Sequence, residues 1–307
     1  MADQDDKIQR VKALHKKGAA RRKRRDWLVH TGYLTPSFAG VLLFFFLPLA
    51  MIVYNSMLKS ATNSEFVGLR NYERVLGNQA FILAIKNTFL FSALAVPLAV
   101  LLALLLALLL NTQMPARSWF RSVFLNPMMV PVASVVLIWQ VFFSFNGTLN
   151  SFLGGFGIDK IDWMKSDWSR FVILLLFLWK TLGYNMVLFL SALNNVPTEL
   201  LDSAKIDGAG SGRRFFHISM IYLYPTIFFV GIISLINSFK IFREVYLLTG
   251  SYPIDSLYLL QHFMNNAFKT LDYQKLSSAA IIMCIGMIII VGVLFVAENK
   301  LGRDVEE

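Results

Sequence analysis

Six stretches of this chain run almost without charge for the length a helix needs to cross a bilayer: residues 36–57, 88–110, 122–145, 171–193, 218–239 and 277–297. Each is close to the ~20 apolar residues that span a hydrocarbon core of about 30 Å. Blocks such as 101–110 are continuously apolar and lack the period-two alternation of barrel strands. The pattern therefore predicts an all-α polytopic membrane protein with six transmembrane helices. Pro48, Pro97, Pro127, Pro131 and Pro225 fall inside these runs. Prolines are tolerated in membrane helices, where neighbouring helices satisfy the freed backbone groups.

Composition agrees with the pattern. Over 307 residues, 56% are hydrophobic and 16% charged, against about 45–50% and about 25% in soluble domains. The mean hydropathy is +0.57. Lys and Arg divide unevenly between the two sets of connectors. With the N-terminus inside, seventeen lie on the cytoplasmic side, eleven outside, and Lys180 alone within a span. The bias places both termini in the cytoplasm. Residues 1–30 form a basic cytoplasmic tail, 31–300 the membrane domain and 301–307 a cytoplasmic C-terminus. The RRKRR run at 21–25 reads as an anchor against anionic lipid headgroups rather than a nucleic-acid contact. A full-length span follows this tail, so no cleavable signal peptide is expected.

Several chemistries are missing. Cys284 is the single cysteine, and His15, His30, His217 and His262 show no ligand spacing, so neither a disulfide scaffold nor a metal site is expected. There is no G-x-x-x-x-G-K-[ST], H-E-x-x-H or G-x-S-x-G. The glycines at 208, 210 and 212 lack the Lys-Ser/Thr a phosphate loop requires. Asn146-Gly147-Thr148 matches a glycosylation sequon, a three-residue pattern that recurs by chance. An enzyme embedded in the membrane would need converging acids, bases or metal ligands, and only Lys180 lies within a predicted span. A carrier coupled to an ion gradient would use Lys180, but the two halves of the chain show no repeat of the kind such carriers often carry.

The connector between the fourth and fifth spans is unusually structured. Thr198 after Pro197 reads as an N-cap, Glu199 and Asp202 place negative charge in a first helical turn, and Gly208 stands where a left-handed residue would end the helix. Leu200, Leu201 and Ala204 share one face, which needs a protein partner or the bilayer edge.

Here the sequence resembles the permease subunits of ABC importers, specifically the carbohydrate-uptake branch typified by the maltose permeases. Residues 197–209, followed by Phe215 or Phe216, Ile218 and Pro225, resemble the EAA loop, which extends here over 196–221. Phe66-Val67-Gly68-Leu69-Arg70-Asn71-Tyr72 is similar to the family's first external loop, Asn87-Thr88 to the opening of its second span, and Leu247-Leu248-Thr249-Gly250 with Pro253 to the segment after its fifth. Two departures stand out: Asp202-Ser203-Ala204 replaces Glu-Ala-Ala, and Ile221 replaces a proline that would bend the start of the fifth span.

The resemblance implies the type I importer permease fold, in the inner or plasma membrane of a prokaryotic cell. It implies as partners a second homologous permease, two cytoplasmic ATPases that bind ATP and magnesium, an external solute-binding protein, membrane lipid and a carbohydrate. This chain itself would hold no cofactor and do no covalent chemistry. It assigns Glu199, Leu200, Leu201, Asp202, Ser203, Ala204, Asp207, Gly208 and Ala209 to ATPase coupling. It also places Met128, Val132, Leu182, Gly183, Tyr184, Asn185, Ser234, Asn237, Ser238 and Ile241 on the solute path.

Polar groups inside spans carry their own argument, since a lysine near a helix centre costs about 2.5–3.5 kcal/mol on insertion scales. Lys180 is thus either a solute-binding group or a packing group paired with a carboxylate or carbonyls. Trp179 beside it offers a ring for stacking on a sugar. Gln140, with Trp139, is a further candidate. Ser234, Asn237 and Ser238 read either as path residues or as interhelical hydrogen bonds. Asp255, Leu257, Leu260, Met264 and Ala267 suggest an amphipathic helix lying in the outer membrane interface, with a share in docking the binding protein.

Overall fold

The computed structural model describes residues 27, 29–60, 65–112 and 117–303; the RRKRR run and residues 304–307 lie outside them. Helices make up nearly all of it, with one isolated bridge between Leu58 and Phe66. Among the described residues, six helices are long and apolar enough to cross a membrane: Val29–Ser56, Gln79–Asn111, Val132–Gly154, Ser169–Asn194, Ser211–Thr249 and Tyr273–Lys300.

Proline decides two local departures from regular helix. In the first span a π-helical turn, Leu42–Phe46, lies just before Pro48. A proline ring clashes with the carbonyl four residues back, and a widened turn relieves it. The predicted run 122–145 is not one helix. Arg117–Met129 ends, Val130 bends, and Val132–Phe143 starts after Pro131, because a residue preceding proline is driven out of the helical region. Pro97, Pro127 and Pro225 stay inside helices.

The fifth helix corrects a second expectation. Without a proline at Ile221, the chain is helical from Ser211 through Lys240, with one π turn at Phe215–Ser219, and after Ile241 it resumes as Phe242–Thr249. It is far longer than 218–239, and Lys240, Arg243 and Glu244 lie along it rather than in a loop.

The core forms where the second, fourth and fifth spans meet. Ala95, Ala99, Ala103 and Ala107 are fully buried and recur every fourth residue along the second span. Such a stripe of small side chains lets helices approach closely where no hydrophobic effect drives them together. Against it pack Phe177, Met186, Phe189 and Leu190 of the fourth span, and Leu223, Val230 and Val245 of the fifth. In the first span only Ser56 is buried, and Phe44 and Phe45 are 72% exposed, as expected of a surface that meets lipid.

Buried amides pin the connectors opposite the 195–210 loop. Asn71 donates to the carbonyls of Ser56 and Leu58 at 2.9 and 2.7 Å, and the Tyr72 hydroxyl meets Ser56 Oγ at 2.6 Å. Asn87 donates to the carbonyls of Asp255 and Tyr258, while Thr88 accepts from the Leu260 amide at 2.9 Å. Asn150 bonds Phe145, Ile161 and Trp163. A buried polar group is costly unless paired, so each of these asparagines fixes a loop to the bundle.

The helix expected near Asp255 exists as Leu260–Lys269, but it is not interfacial. Leu260, Phe263 and Ala267 are buried with Val75, Phe81, Ala84 and Ala279, and Met264 packs against them. Its apolar face is core, satisfied by the second and sixth spans. His262 on this helix is wholly buried, accepts from the Leu259 amide at 3.1 Å and packs edge-on against Phe242 at 4.7 Å. Burial lowers its pKa to about 4.

Candidate functional site

Two features stand out, a polar cavity in the bundle and an uncovered helix on the 195–210 loop. The cavity, about 400 Å³, lies where the fourth and fifth spans face the break before Pro131. The break supplies Met128 and Val132. The fourth span supplies Phe177, Lys180, Thr181 and Tyr184, and the fifth supplies Ile233, Asn237, Lys240, Ile241, Arg243 and Glu244. Pro131 thus has a consequence for the wall, because the interrupted helix presents a bend there instead of a continuous flank.

Lys180 donates to the carboxylate of Glu244, whose side chain is 5% exposed. An ion pair in a low-dielectric setting persists only when each charge is matched. Lys180 therefore has the carboxylate partner its position demanded while also facing the cavity. Glu244 does not stand out in the sequence, because the charges at Lys240 and Arg243 read as the end of the fifth span. A signal was present: Asn237, Ile241 and Glu244 continue one helical face at spacings of four and three.

Of the path residues expected from sequence, Met128, Val132, Lys180, Tyr184, Asn237 and Ile241 come together around the cavity. The others do not line it. Asn185 is fully buried and donates to Ser234 Oγ at 2.8 Å, and Ser238 Oγ meets Ser92 Oγ of the second span at 2.7 Å. These bonds hold three spans together. Leu182 packs between the two largest core clusters. Gly183 is a backbone crossing point, where a Cβ would stand 1.8 Å from the Phe124 carbonyl oxygen. Gln140 is exposed on the third span. Trp179 packs at a tilt against Trp139, with ring centroids 5.1 Å apart, and is not part of the cavity wall. Among the described residues no group of His, Cys, Asp and Glu is arranged to hold a metal ion.

The loop helix runs Thr198–Ile206. Its N-cap position is Pro197, and no side chain caps it; Thr198 is the first helical residue. Proline's fixed backbone, with no N–H to satisfy, is enough to turn the chain in. Glu199 lies in the first turn and Lys205 in the last, both favourable to the helix dipole. At the far end Gly208 has φ +80°, its N–H reaches the Lys205 carbonyl at 3.1 Å, and that of Ala209 reaches Ala204 at 2.9 Å. This pair of bonds is the Schellman stop expected of a glycine at that position.

No residue of this helix is buried. Leu200 is 44% and Ile206 86% exposed, while Leu201, Ala204 and Ala209 are half-buried. Glu199, Asp202, Ser203, Asp207 and Gly208 are exposed. The helix is therefore geometrically fixed at its end, with Leu200 and Ile206 left uncovered. Ile206 extends the apolar anchors beyond those the sequence pattern suggested.

Comparison with known proteins agrees with this architecture. Residues 95–305 match the family model described as binding-protein-dependent transport system inner membrane component. The chain is 33% identical over 183 residues, 58% of each chain, to the arabinooligosaccharides transport system permease protein AraP of Halalkalibacterium halodurans. It is 31% identical over 265 residues to the sulfoquinovosyl glycerol transport system permease protein SmoG of Agrobacterium fabrum, covering 84% of this chain and 86% of that one. The trehalose/maltose transport system permease protein MalF of Thermococcus litoralis is 29% identical over 280 residues, 89% and 95% of the two chains. The fold matches a chain of a bacterial alginate ABC transporter, solved in complex with an alginate pentasaccharide-bound periplasmic protein. The TM-score is 0.80 at 21% identity, over 91% of this chain and 96% of that one. With six apolar helices among its described residues, this chain is a multi-pass membrane protein that belongs to the family of binding-protein-dependent transport system inner membrane components.

Proposed function

We propose that this chain is one transmembrane subunit of an ATP-driven ABC importer for a sugar or oligosaccharide. A solute-binding protein outside the cell delivers the solute. A second, homologous permease completes the path, and two cytoplasmic ATPases bind ATP and magnesium. The chain itself contributes no covalent chemistry. Both termini and the loop 196–221 face the cytoplasm in this reading.

The observation that carries the proposal is the helix Thr198–Ile206, none of whose residues is buried, with Leu200 and Ile206 exposed on the loop between the fourth and fifth spans. Apolar side chains projecting from a helix into a groove of a partner are a recurrent recognition mode. The Schellman stop at Gly208 makes the helix a rigid element able to pass rigid-body motion into the fifth span, which begins at Ser211. ATP binding would draw the ATPases together, carry the loop helices with them, and shift the membrane domain between inward-open and outward-open states. The chain's part is to be differently stable in those two states.

The names of the relatives support a carbohydrate solute, since they include carriers named for arabinooligosaccharides, trehalose and maltose, and sulfoquinovosyl glycerol. Met128, Val132, Tyr184, Asn237 and Ile241 form the solute contact in this account, with Lys180 and Glu244 in its wall. The test is purification of the tagged chain from its native membrane in mild detergent, followed by mass spectrometry. Recovery of a second permease and an ATPase is expected. A chain recovered alone after crosslinking, with no ATPase, would overturn the reading in favour of ion-coupled transport through Lys180.

A further inference from the structure

The formal charges of the cavity wall do not balance. Three cations, Lys180, Lys240 and Arg243, share the wall with one anion, Glu244. Lys180 already holds Glu244. Lys240 and Arg243 are exposed and have no hydrogen bond or ion pair among the described residues. They stand three residues apart on the fifth span, beyond Asn237, and share the cavity wall with Asn237 and Tyr184, the groups that would meet sugar hydroxyls. A neutral sugar needs hydroxyl partners and rings, which Asn237 and Tyr184 supply, and it has no use for two free cations. Inside low-dielectric walls such an excess of one sign focuses its field into the cleft and raises the local concentration of the opposite charge. Arginine in particular offers a planar fork that fits carboxylate, phosphate and related oxyanions.

We propose that the solute is an acidic saccharide, a sugar or oligosaccharide bearing a carboxylate, phosphate or sulfonate group, and that Lys240 and Arg243 receive that group. The Lys180–Glu244 pair then serves as a neutral, fixed part of the wall, which leaves the two other cations as the selective element. This rests on the import reading above and narrows its substrate class.

The experiment uses the whole complex with its own binding protein in proteoliposomes, supplied with matched pairs: oligogalacturonate and its carboxyl-reduced form, a sugar phosphate and the free sugar, a sulfonated sugar and its neutral parent. The acidic member of one pair is expected to be carried in preference. Lys240→Met/Arg243→Met should lower its uptake about tenfold, in keeping with the gain such focused fields give to association, and narrow the acidic-to-neutral ratio. Lys240→Arg/Arg243→Lys, which keeps both charges, should retain most uptake and guards against mere misfolding. If a neutral member is carried as well as its acidic counterpart, or charge removal leaves acidic uptake unchanged, the acidic-solute inference falls while the importer stands. If no saccharide is carried while the complex still hydrolyses ATP, the sugar reading falls and takes this inference with it.

Discussion

Lys180 on the fourth span and Glu244 near the end of the fifth form an ion pair across 64 residues of sequence, with the carboxylate almost wholly buried. The pair joins the two spans that also supply most of the cavity wall. Its stability and its transport roles separate by mutation. Removing one partner of a buried pair typically costs about 3–5 kcal/mol, whereas replacing both by apolar groups is near neutral. Because Lys180 keeps 22% of its side chain exposed and Glu244 only 5%, losing Lys180 strands a buried carboxylate and should cost the most, whereas losing Glu244 leaves a lysine that water reaches and should fall at the lower end. Lys180→Met and Glu244→Leu should each lower the unfolding temperature of the detergent-solubilised protein, and the double variant should recover most of the loss. Additive losses in that cycle would mean the two residues are not coupled.

Gly183 tests the crossing of the fourth span with the helix Arg117–Met129. A Cβ there would collide with backbone at Phe124, and backbone cannot yield as a flexible side chain does. Gly183→Ala should destabilise by about 1–3 kcal/mol, as overpacking does, and reduce the amount of folded protein in the membrane. Gly286→Ala in the sixth span is the control, since nothing stands within 4 Å of its added Cβ and alanine favours helix by about 1 kcal/mol. Equal folded yields for both would refute the close approach.

Gly208 separates folding from coupling. Open space surrounds it and only its φ of +80° constrains the residue, so a substitution costs about 1–2 kcal/mol locally and leaves the membrane domain intact. Gly208→Val should abolish transport while the protein remains at normal abundance. Gly208→Asn should retain more activity, because asparagine tolerates the left-handed region. Normal uptake by the valine variant would remove the loop helix from the coupling role.

His262 gives a pH dependence with a definite sign. Buried and depressed to about 4, it stays neutral in the folded protein through a range where the unfolded chain, with a histidine pKa of about 6.5, takes up a proton. Its contribution is therefore constant above about pH 6.5 and is lost as pH falls from there toward 4. A His262→Gln variant should show a shallower fall in unfolding temperature between those values than the parent. Carboxylates elsewhere titrate in both proteins, so the difference between the two curves is the measurement. Parallel curves would mean His262 is protonated in the fold.

The spans were legible in sequence because crossing a hydrocarbon layer is a demand on composition over about twenty residues. The loop helix and its stop were legible because a Schellman ending leaves a local mark, the glycine at 208. What failed to show depended on distant partners. Glu244 looked like a loop charge because its neutralising lysine lies on another helix. The face of Leu260, Met264 and Ala267 was read correctly as apolar, but its partner was Phe81 and Ala84 in the second span rather than lipid. Asn185, Ser234 and Ser238 drew notice as polar groups in spans, and the structure finds them bonded to one another or to Ser92. Pro131 breaks the helix where Pro127, four residues earlier, does not, and the two prolines look alike in the sequence.

The most direct test of the account is solute accumulation in proteoliposomes holding the purified complex, with ATP and magnesium inside and the binding protein outside. Uptake is expected to require internal ATP and the binding protein together and to be insensitive to dissipation of ion gradients. Uptake that proceeds without ATP and collapses when an ion gradient is dissipated would contradict it.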